Sequence, residues 1–537
     1  MIKQAVAILF FCVCLADASA QEGYFVSFSD KNNTPYSLDR PEEFLSARAI
    51  ERRQRQNISL IESDLPVNPH YIDSLKQAGI DVRHTTKWLN GAILFCANTA
   101  LMDTLTRISF IASVEKTKPS NELPSSRHKF ETSYPSLKKT SSSFYGASHR
   151  QLGTVNGHHL HEKGYRGEGM QIAVIDAGFF KADNLPLFSH LWQNGQILGS
   201  KDFVDPLSNI FTTHSHGMHV LSIMAGNQDG IYRGASPDAS YWLLRTEDAA
   251  SEHPIEADYW ICAAEFADSA GADVVNTSLG YYEFDPPSSS YAYTHMDGST
   301  RISQACDIAS SKGMLMVTSA GNEGASSWHY IGAPADARYG IAVGAITADS
   351  TRASFSSFGP SYDGRIKPDV SALGDSVAVQ GTRGSISYGN GTSFAAPIIS
   401  GLAACLWQAM PHKNAAEIRQ LIIESAHQAN APNNALGYGI PNFRIALFTD
   451  IKQKIQSPAR WKVAVNPFGS QLKLIGTGKQ PVSIAIYDIL GNLMYYKDHP
   501  MQEEIIINEV AHMANGIYLV IIENSAIKQH IKVIKNR

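Results

Sequence analysis

The sequence predicts an α/β protein with a three-layer central domain, in which a parallel sheet is flanked by helices. Between residues 145 and 447, continuous apolar runs such as QIAVID (171–176) alternate with helical stretches, as in sheets covered on both faces. A shorter mixture of strand and helix patterns at 21–118 predicts a small α/β domain. Regularly spaced strands of alternating polarity at 461–537 predict a C-terminal β-sandwich.

The elements of each domain follow from the period of their apolar residues. The small domain is predicted to contain strands at 24–28, 91–95 and 111–115 and helices at 41–54 and 71–78. The central domain is predicted to contain strands at 171–176, 240–245, 272–280, 314–321 and 340–346 and helices at 255–270 and 301–312. The C-terminal domain is predicted to contain strands at 472–476, 482–488, 492–497, 504–508, 516–523 and 528–535. Residues 119–144, rich in Ser, Pro and Lys, are predicted to form an exposed linker, and residues 448–460 a second linker.

Residues 1–20 have the pattern of a secretory signal peptide. Lys3 precedes an apolar run that is too short to span a bilayer as a helix, and Ala18 and Ala20 are the small residues that a signal peptidase reads. We expect cleavage before Gln21; the alternatives are a buried N-terminal helix and a membrane anchor. Since no other stretch reaches about 18 uninterrupted apolar residues, we predict no transmembrane helix.

Neither the net charge nor the cysteine spacing indicates a nucleic-acid-binding, membrane-surface or zinc protein. A formal net charge of -5 over 537 residues gives no electrostatic reason to expect a nucleic acid or an anionic membrane as partner, and we expect a monomer. Four cysteines follow the signal peptide, at 96, 262, 306 and 405, without the CxxC spacing of a zinc site. Export permits disulfides, so a Cys262–Cys306 bridge is one of three possible pairings, whereas Cys405 is predicted to be a buried thiol.

Four polar residues of the central domain offer the groups that amide hydrolysis needs: a nucleophile, a base, a group that orients the base, and a donor for the oxyanion. Asp176 ends the strand QIAVID, and His216 opens the helical run in HGMHV. Asn322 follows a strand in SAGNEG, and Ser393 opens a long apolar helix in GTSFAAP. Each residue alone has a commoner structural role, such as a helix cap or a turn. Their joint occurrence therefore carries the hypothesis.

In this order and in these contexts, the four residues resemble the catalytic residues of the subtilisin family of serine proteases. The resemblance implies a subtilisin-like fold and a serine endopeptidase with Asp176, His216 and Ser393 as its triad. It also implies that Asn322 and the Ser393 amide hold the oxyanion. Met218 departs from the threonine that the family usually has there, which puts local packing rather than activity in question.

The resemblance also places the substrate against Ser278, Leu279 and Gly280, where a peptide adds as an extra antiparallel strand. Gly280 leaves room for a side chain at the pocket wall. The alternative is that these residues are only the end of a strand.

Two further groups of polar residues lie near this predicted site in the sequence. Glu247, Asp248 and Glu252 form an acidic loop that either favours basic substrate residues or is solvated, and we expect the solvated form because charge runs are usually exposed. His214 and His219 flank His216 without the i, i+4 spacing of a zinc helix, and His219 is expected to pack in the interior.

Both flanking domains resemble parts of exported proteases. Residues 21–118, with FLSARAIERRQRQ, DLPVNPHYIDSL and KWLNGA, resemble the inhibitory propeptide of exported subtilases from Bacteroidetes-type bacteria. This implies a zymogen whose own propeptide, ending near Lys118, occupies the cleft until the linker is cut. Residues 461–537, with NPF, YDILGN, MANGIYLV and KVIK, resemble the sorting domain of the type IX secretion system. This implies contact with that secretion machinery and a secreted or cell-surface location; the alternative is a sandwich that binds carbohydrate or substrate.

Two rival functions compete with a peptidase acting on peptide or protein substrates. A catalytically inactive, peptide-binding subtilase fold would need a lost triad residue, and none is lost. An esterase or lipase of the α/β-hydrolase type has its serine in a GxSxG elbow, and the residues around Ser393 lack that motif. We expect that no cofactor is required and predict no metal site. Calcium is common in the family that the chain resembles, but no D-x-[DN]-x-[DN]-G loop is present.

Overall fold

The computed structural model describes residues 21–120, 129–130, 144–448, 461–476, 481–489, 492–500, 502–524 and 527–536. The predicted signal peptide, most of the first linker and nearly all of the second lie outside the described residues. The chain divides into two units at residue 448, and each is described by itself below.

The N-terminal part of the first unit is a four-stranded antiparallel sheet with three helices. Its strands are β1 (Glu22–Phe28), β2 (Asp81–Thr86), β3 (Gly91–Cys96) and β4 (Ile111–Lys118), in the order β2-β3-β1-β4. Its helices are α1 (Ala47–Arg55), α2 (Pro69–Gln77) and α3 (Thr99–Leu105). The predicted small α/β domain is therefore present, with β2 and α3 in addition to the predicted elements.

The rest of the first unit is built on a parallel sheet of seven strands. The strands of this region are β5 (Gln171–Asp176), β6 (Ile197–Asp202), β7 (Asn227–Gln228), β8 (Tyr232–Arg233), β9 (Ser240–Arg245), β10 (Val274–Thr277), β11 (Leu315–Ser319), β12 (Ile341–Ile346), β13 (Val370–Leu373), β14 (Val377–Gln380) and β15 (Ile386–Gly389). The seven parallel strands lie in the order β13-β12-β11-β10-β5-β9-β6, while β7-β8 and β14-β15 are small hairpins. The helices are α4 (His149–Thr154), α5 (His158–Glu162), α6 (Ser189–Gln193), α7 (His216–Ala225), α8 (Pro254–Ala270), α9 (Arg301–Ser311), α10 (Thr392–Ala409) and α11 (Ala415–Glu424).

Alternate residues of the sheet face two different layers of helices. Ile172 and Val174 of β5 pack with the layer that contains α7, α10 and α11, while Ala173 and Ile175 pack with α8 and α9. Burial on both faces explains why the strands read as continuous apolar runs. The predicted three-layer fold is confirmed. Helix α10 is long and apolar enough to cross a membrane, but 89% of it is buried inside the domain, as expected of a core helix.

The N-terminal sheet packs on the outer side of α8 and α9. Phe25, Trp88 and Phe95 share one core with Ile255 and Tyr259 of α8. The other face of this small sheet has a separate core with α2 and α3. The small domain is thus seated on the helical layer of the larger one.

The second unit contains two antiparallel sheets around one core, which confirms the predicted β-sandwich. Its strands are β16 (Trp461–Val463), β17 (Leu472–Gly476), β18 (Val482–Tyr487), β19 (Leu493–His499), β20 (Glu504–Ile507), β21 (Gly516–Asn524) and β22 (Ile527–Lys535). The sheets have the orders β16-β17-β20 and β19-β18-β21-β22. All six predicted strands are present, and β16 is added to them.

The four cysteines after the signal peptide are free thiols buried in the first unit. Cys405 lies in the apolar helix α10, as predicted. Burial raises the pKa of the Cys262 thiol well above its ordinary value. The Cys262–Cys306 bridge considered from the sequence is not formed in this structure.

Candidate active site

One cleft brings most of the predicted site residues together, beyond the carboxyl ends of the parallel strands, where α/β sheets usually bind ligands. The predicted residues that line it are His216, Ser278, Leu279, Gly280, Asn322 and Ser393. Asp176, the last residue of β5, lies behind His216 and is completely buried.

Asp176 and His216 form a buried hydrogen-bonded pair. The ring nitrogen Nδ1 of His216 lies 2.7 Å from Asp176 Oδ1, which also accepts from the backbone N–H of Ala177 at 2.8 Å. Since an ionised carboxylate can only accept, Nδ1 carries the proton, and in the neutral ring Nε2 has the free lone pair. The pair therefore presents a base to the cleft.

Two glycines permit the close approach of α7 to the end of β5. A Cβ at Gly217 would lie 2.5 Å from the carbonyl oxygen of Gly178 and 2.8 Å from Cβ of Asp176. Gly178 has φ +145°, and a Cβ there would lie 2.1 Å from Oγ1 of Thr213. The glycines in VIDAG and HGMHV are thus required by the geometry of the pair.

Ser393 lies in the first turn of α10, and the N-terminal end of a helix favours a negative charge. Gly391, just before the helix, has φ +152°, a conformation that is nearly restricted to glycine. Ser393 Oγ donates to the carbonyl oxygen of Ser278 at 3.1 Å. Ser393 and His216 line the same cleft, and the ring of the next residue, Phe394, lies 5.9 Å from the ring of His216 between centroids.

The amide of Asn322 is oriented by the start of the same helix. Its Oδ1 accepts from the backbone N–H of Thr392 at 2.9 Å and from Thr392 Oγ1 at 3.0 Å. Because a backbone N–H can only donate, the oxygen must face Thr392, and the NH₂ group points the other way. That group lies near Gly391, where a Cβ would be 3.6 Å from Nδ2. Asn322 thus offers a fixed donor next to Ser393, and Thr392 is the positioning residue that the sequence did not identify.

Ser278, Leu279 and Gly280 follow β10, which ends at Thr277, so the predicted strand is shorter than expected. Ser278 Oγ donates to the carbonyl oxygen of Ser393 at 2.8 Å, which ties this segment to α10. A Cβ at Gly280 would meet only the carbonyl oxygen of Ala333, at 3.8 Å. The wall at Gly280 is therefore open, in agreement with the room expected there.

The two flanking histidines have different surroundings from His216. His219 Nδ1 donates to the carbonyl oxygen of Gln380 at 2.6 Å, and burial lowers the pKa of His219 to about 3. This interior packing is the role expected for it. Burial, with a contribution from the neighbouring His216 ring, lowers the pKa of His214 to about 4.

Two residues of the predicted linker occupy the cleft. The ring of Phe130 packs at a tilt against His216, with 4.5 Å between ring centroids, and against His214, with 4.7 Å. Lys129 lines the same cleft, and only 13% of its side chain is exposed. The prediction of an exposed linker is therefore wrong at these two positions, because apolar and ionic contacts hold them in the cleft.

In the acidic loop Glu247 is buried, and Asp248 and Glu252 are half-buried, contrary to the expectation that the loop is solvated. The side chain of Glu247 has no exposed surface, and that of Glu252 is 15% exposed. Together with Glu256 of α8, which is 2% exposed, they surround the Lys129 ammonium. The shared lysine offsets the cost of burying these charges.

Comparison with known proteins relates all three domains to characterised families. The model of the subtilase family matches residues 167–439. The model of the Bacteroidota peptidase S8 propeptide domain matches residues 23–133, and thus includes Lys129 and Phe130. The model of a secretion system C-terminal sorting domain matches residues 465–536.

Individual relatives are similar over the central domain. Subtilisin J of Geobacillus stearothermophilus is 33% identical over 272 residues, which are 50% of this chain and 63% of that protein. Subtilisin DY of Bacillus licheniformis is 31% identical over 269 residues, 49% of this chain and 86% of that protein. A crystal structure of MycP1 with its N-terminal propeptide removed matches 56% of this chain and 96% of its own, with a TM-score of 0.44 and 23% identity. The chain thus spans less than two thirds of the length of several full relatives.

Proposed function

Because this chain belongs to the subtilase family, we propose that it is a serine endopeptidase that hydrolyses peptide or protein substrates. The observation that carries the proposal is the buried Asp176–His216 pair, which opens on the same cleft as Ser393. An inactive peptide-binding member of the family would not need this pair beside a serine at a helix N-terminus.

The proposed reaction uses each residue at the position described above. His216 Nε2 accepts the proton of Ser393 as Oγ attacks the scissile carbonyl carbon, and Asp176 stabilises the imidazolium that forms. The Asn322 amide and the backbone N–H of Ser393 donate to the oxyanion. His216 then protonates the leaving amine, and water hydrolyses the acyl-enzyme with His216 again as base. All these groups come from the chain itself, so the mechanism calls for no cofactor.

Covalent labelling tests the identity of the nucleophile directly. A fluorophosphonate reacts with a serine only when a neighbouring base activates it. We expect the processed protein to be labelled at Ser393, as read by mass spectrometry of its peptides, and the heat-denatured protein to remain unlabelled. Labelling of a different serine, or equal labelling after denaturation, would contradict the assignment.

Asn322→Ala is expected to lower kcat by about 10²- to 10³-fold with little change in KM, the range known for the corresponding loss in subtilisin, a member of this family. The amide contacts the oxyanion and not the ground-state substrate, so its loss affects the transition state. Asn433→Ala, at an exposed asparagine that does not line the cleft, is the matched control. The role is wrong if KM rises in proportion while kcat is unchanged.

The flanking domains support synthesis as a secreted zymogen. The propeptide domain packs on α8 and α9, and Phe130 covers the proposed base, so the unprocessed chain is blocked at its own cleft. We propose that cutting within residues 119–144 releases activity, that the chain acts as a monomer, and that the C-terminal domain is read by a type IX-like machinery for release to the cell surface or medium. The termini of the active protein, determined by mass spectrometry, test this order: an active chain that begins at Gln21 would refute it.

A further inference from the structure

The carboxylates around Lys129 form a pocket that is continuous with the cleft. Lys129 Nζ lies 2.9 Å from both carboxylate oxygens of Glu256 and 3.1 Å from Oε2 of Glu252. It also forms an ion pair with Glu247 and donates to the carbonyl oxygen of Ser251 at 3.2 Å. The ammonium is therefore surrounded by acceptors, as a point charge with three donors requires.

The pocket is held by contacts that do not involve Lys129. Glu256 accepts from the backbone N–H groups of Asp248, at 2.7 Å, and of His253, at 3.1 Å. Glu247 accepts from the hydroxyl of Tyr281. These bonds fix two of the carboxylates before any lysine binds, so the site is built by α8 and its preceding loop.

The occupant belongs to a segment that leaves if the zymogen is processed. Lys129 stands in the linker, within the propeptide family match of residues 23–133. The next residue, Phe130, rests on the proposed base, so the lysine reaches the pocket from the position of a substrate. Once the linker is cut and lost, the three buried glutamates lack the cation that contacts them all, and a substrate is able to supply another.

We infer that Glu247, Glu252 and Glu256 are a specificity pocket for a substrate lysine, and that Lys129 is its internal substitute in the zymogen. The inference rests on the proposed peptidase function and deepens it. On this inference the peptidase prefers a substrate lysine that is followed by an aromatic residue. Lys129 and Phe130 then inhibit the zymogen by occupying the positions of these two substrate residues.

A pair of peptides tests the pocket in the processed enzyme. An internally quenched peptide with the sequence of residues 124–136 is compared with one in which norleucine, a lysine without its ammonium, stands at the position of Lys129. We expect kcat/KM to be about 10- to 100-fold higher for the lysine peptide, the size of a charge-assisted interaction. Glu252→Gln is expected to lower this ratio by about tenfold. Glu424→Gln, an equal change of charge at an exposed glutamate that does not line the cleft, is the matched control.

The outcomes separate the pocket from the peptidase function. If the enzyme cleaves casein but cleaves the two peptides at equal rates, the lysine pocket is overturned and the peptidase proposal stands. If casein and both peptides stay intact, the peptidase proposal fails. The pocket is then tested by binding. Fluorescence anisotropy measures the affinity of the same two peptides for a full chain that carries Lys129→Met, Phe130→Ala and Ser393→Ala. Equal affinities would overturn the lysine pocket.

A metal ion is the other chemistry that three carboxylates attract, and the same samples distinguish it. A lysine-to-norleucine ratio near one, with a calcium-dependent rise in thermal stability that Glu252→Gln removes, would reassign the site to a cation and overturn the inference. A ratio that stays high in EDTA and in millimolar calcium supports the lysine pocket.

The preference for lysine is expected to rise with pH. Burial raises the pKa of Glu252 to about 7, and the Lys129 charge lowers it, so a bound lysine favours the ionised carboxylate. Binding of lysine therefore releases protons, and the lysine-to-norleucine ratio should be larger at pH 8.5 than at pH 6. A ratio that falls over this range would contradict the inference. The charged and titratable groups around Glu252 are Lys129, Glu247, Asp248, His253, Glu256, Tyr281 and Asp285.

Discussion

Ser393→Ala is expected to lower turnover of a protein substrate by about 10⁶-fold, the size that this loss has in subtilisin itself. Without the hydroxyl there is no acyl-enzyme, and the Asp176–His216 pair has no proton to accept. The residual rate over water comes from the oxyanion donors and from binding alone. Casein hydrolysis by purified protein is the measurement.

The linker must be cut in every chain that is compared, because Phe130 covers His216 in the uncut chain. A trace of wild-type enzyme, removed afterwards by its tag, cuts the Ser393→Ala chain in trans. Ser354→Ala, at an exposed serine, is the matched control and should cleave at the parental rate. A cut Ser393→Ala chain with parental turnover would show that another group is the nucleophile.

The positions of the proposed triad could be predicted from the sequence because local rules place each residue. Asp176 ends an apolar strand, and parallel strands end at one edge of the sheet, so its place near the cleft follows from the fold class. Ser393 and His216 open helices, and the glycines beside them mark close approaches. Once the fold class is predicted, the contact between His216 and Asp176 follows from these positions.

Contacts between distant segments could not be predicted in the same way. Glu247 and Glu252 look like an exposed charge run until Lys129, more than a hundred residues earlier, fills the space between them. The linker likewise has no apolar period, because Phe130 is held by its ring contacts with His214 and His216. Short strands and strands of mixed polarity cannot be predicted from the sequence for a related reason. Strand β6 (Ile197–Asp202) is half-exposed and partly polar, so the sequence has no continuous apolar run there.

The propeptide is joined to the peptidase domain by a buried network of charges that centres on Asp268. Its carboxylate pairs with Arg52 and, at 2.8 Å, with Arg53 of α1, and at 3.3 Å with Lys87. Burial alone would raise the pKa of Asp268, but the three cations hold it below the usual range. Gly271 ends α8 with φ +97°, and a Cβ there would lie 2.8 Å from Cβ of Arg48, so α1 approaches as closely as a glycine permits.

Asp268→Asn is expected to weaken binding of the cut propeptide by about 10²-fold or more. Removing one partner of a buried ion pair costs about 3–5 kcal/mol, because the remaining charges stay buried without compensation. Here three cations lose their shared anion. The mature enzyme should keep its thermal stability, since none of these cations remains once the propeptide is gone. Recovery of casein hydrolysis after dilution of the cut complex measures the affinity.

The control for this interface is Asp238→Asn. Asp238 pairs at 2.9 Å with Arg166 of its own domain, and its side chain is 39% exposed. An exposed pair contributes about 0–1 kcal/mol, so this variant should release the propeptide at nearly the parental rate. Equal release from both variants would mean that the apolar contacts of Phe25 and Trp88 with α8 supply the affinity, and that the charges only orient the domain. Faster release from Asp268→Asn alone would place the affinity in the buried charges near the C-terminal end of α8, whereas Glu256, which contacts Lys129, lies near its N-terminal end.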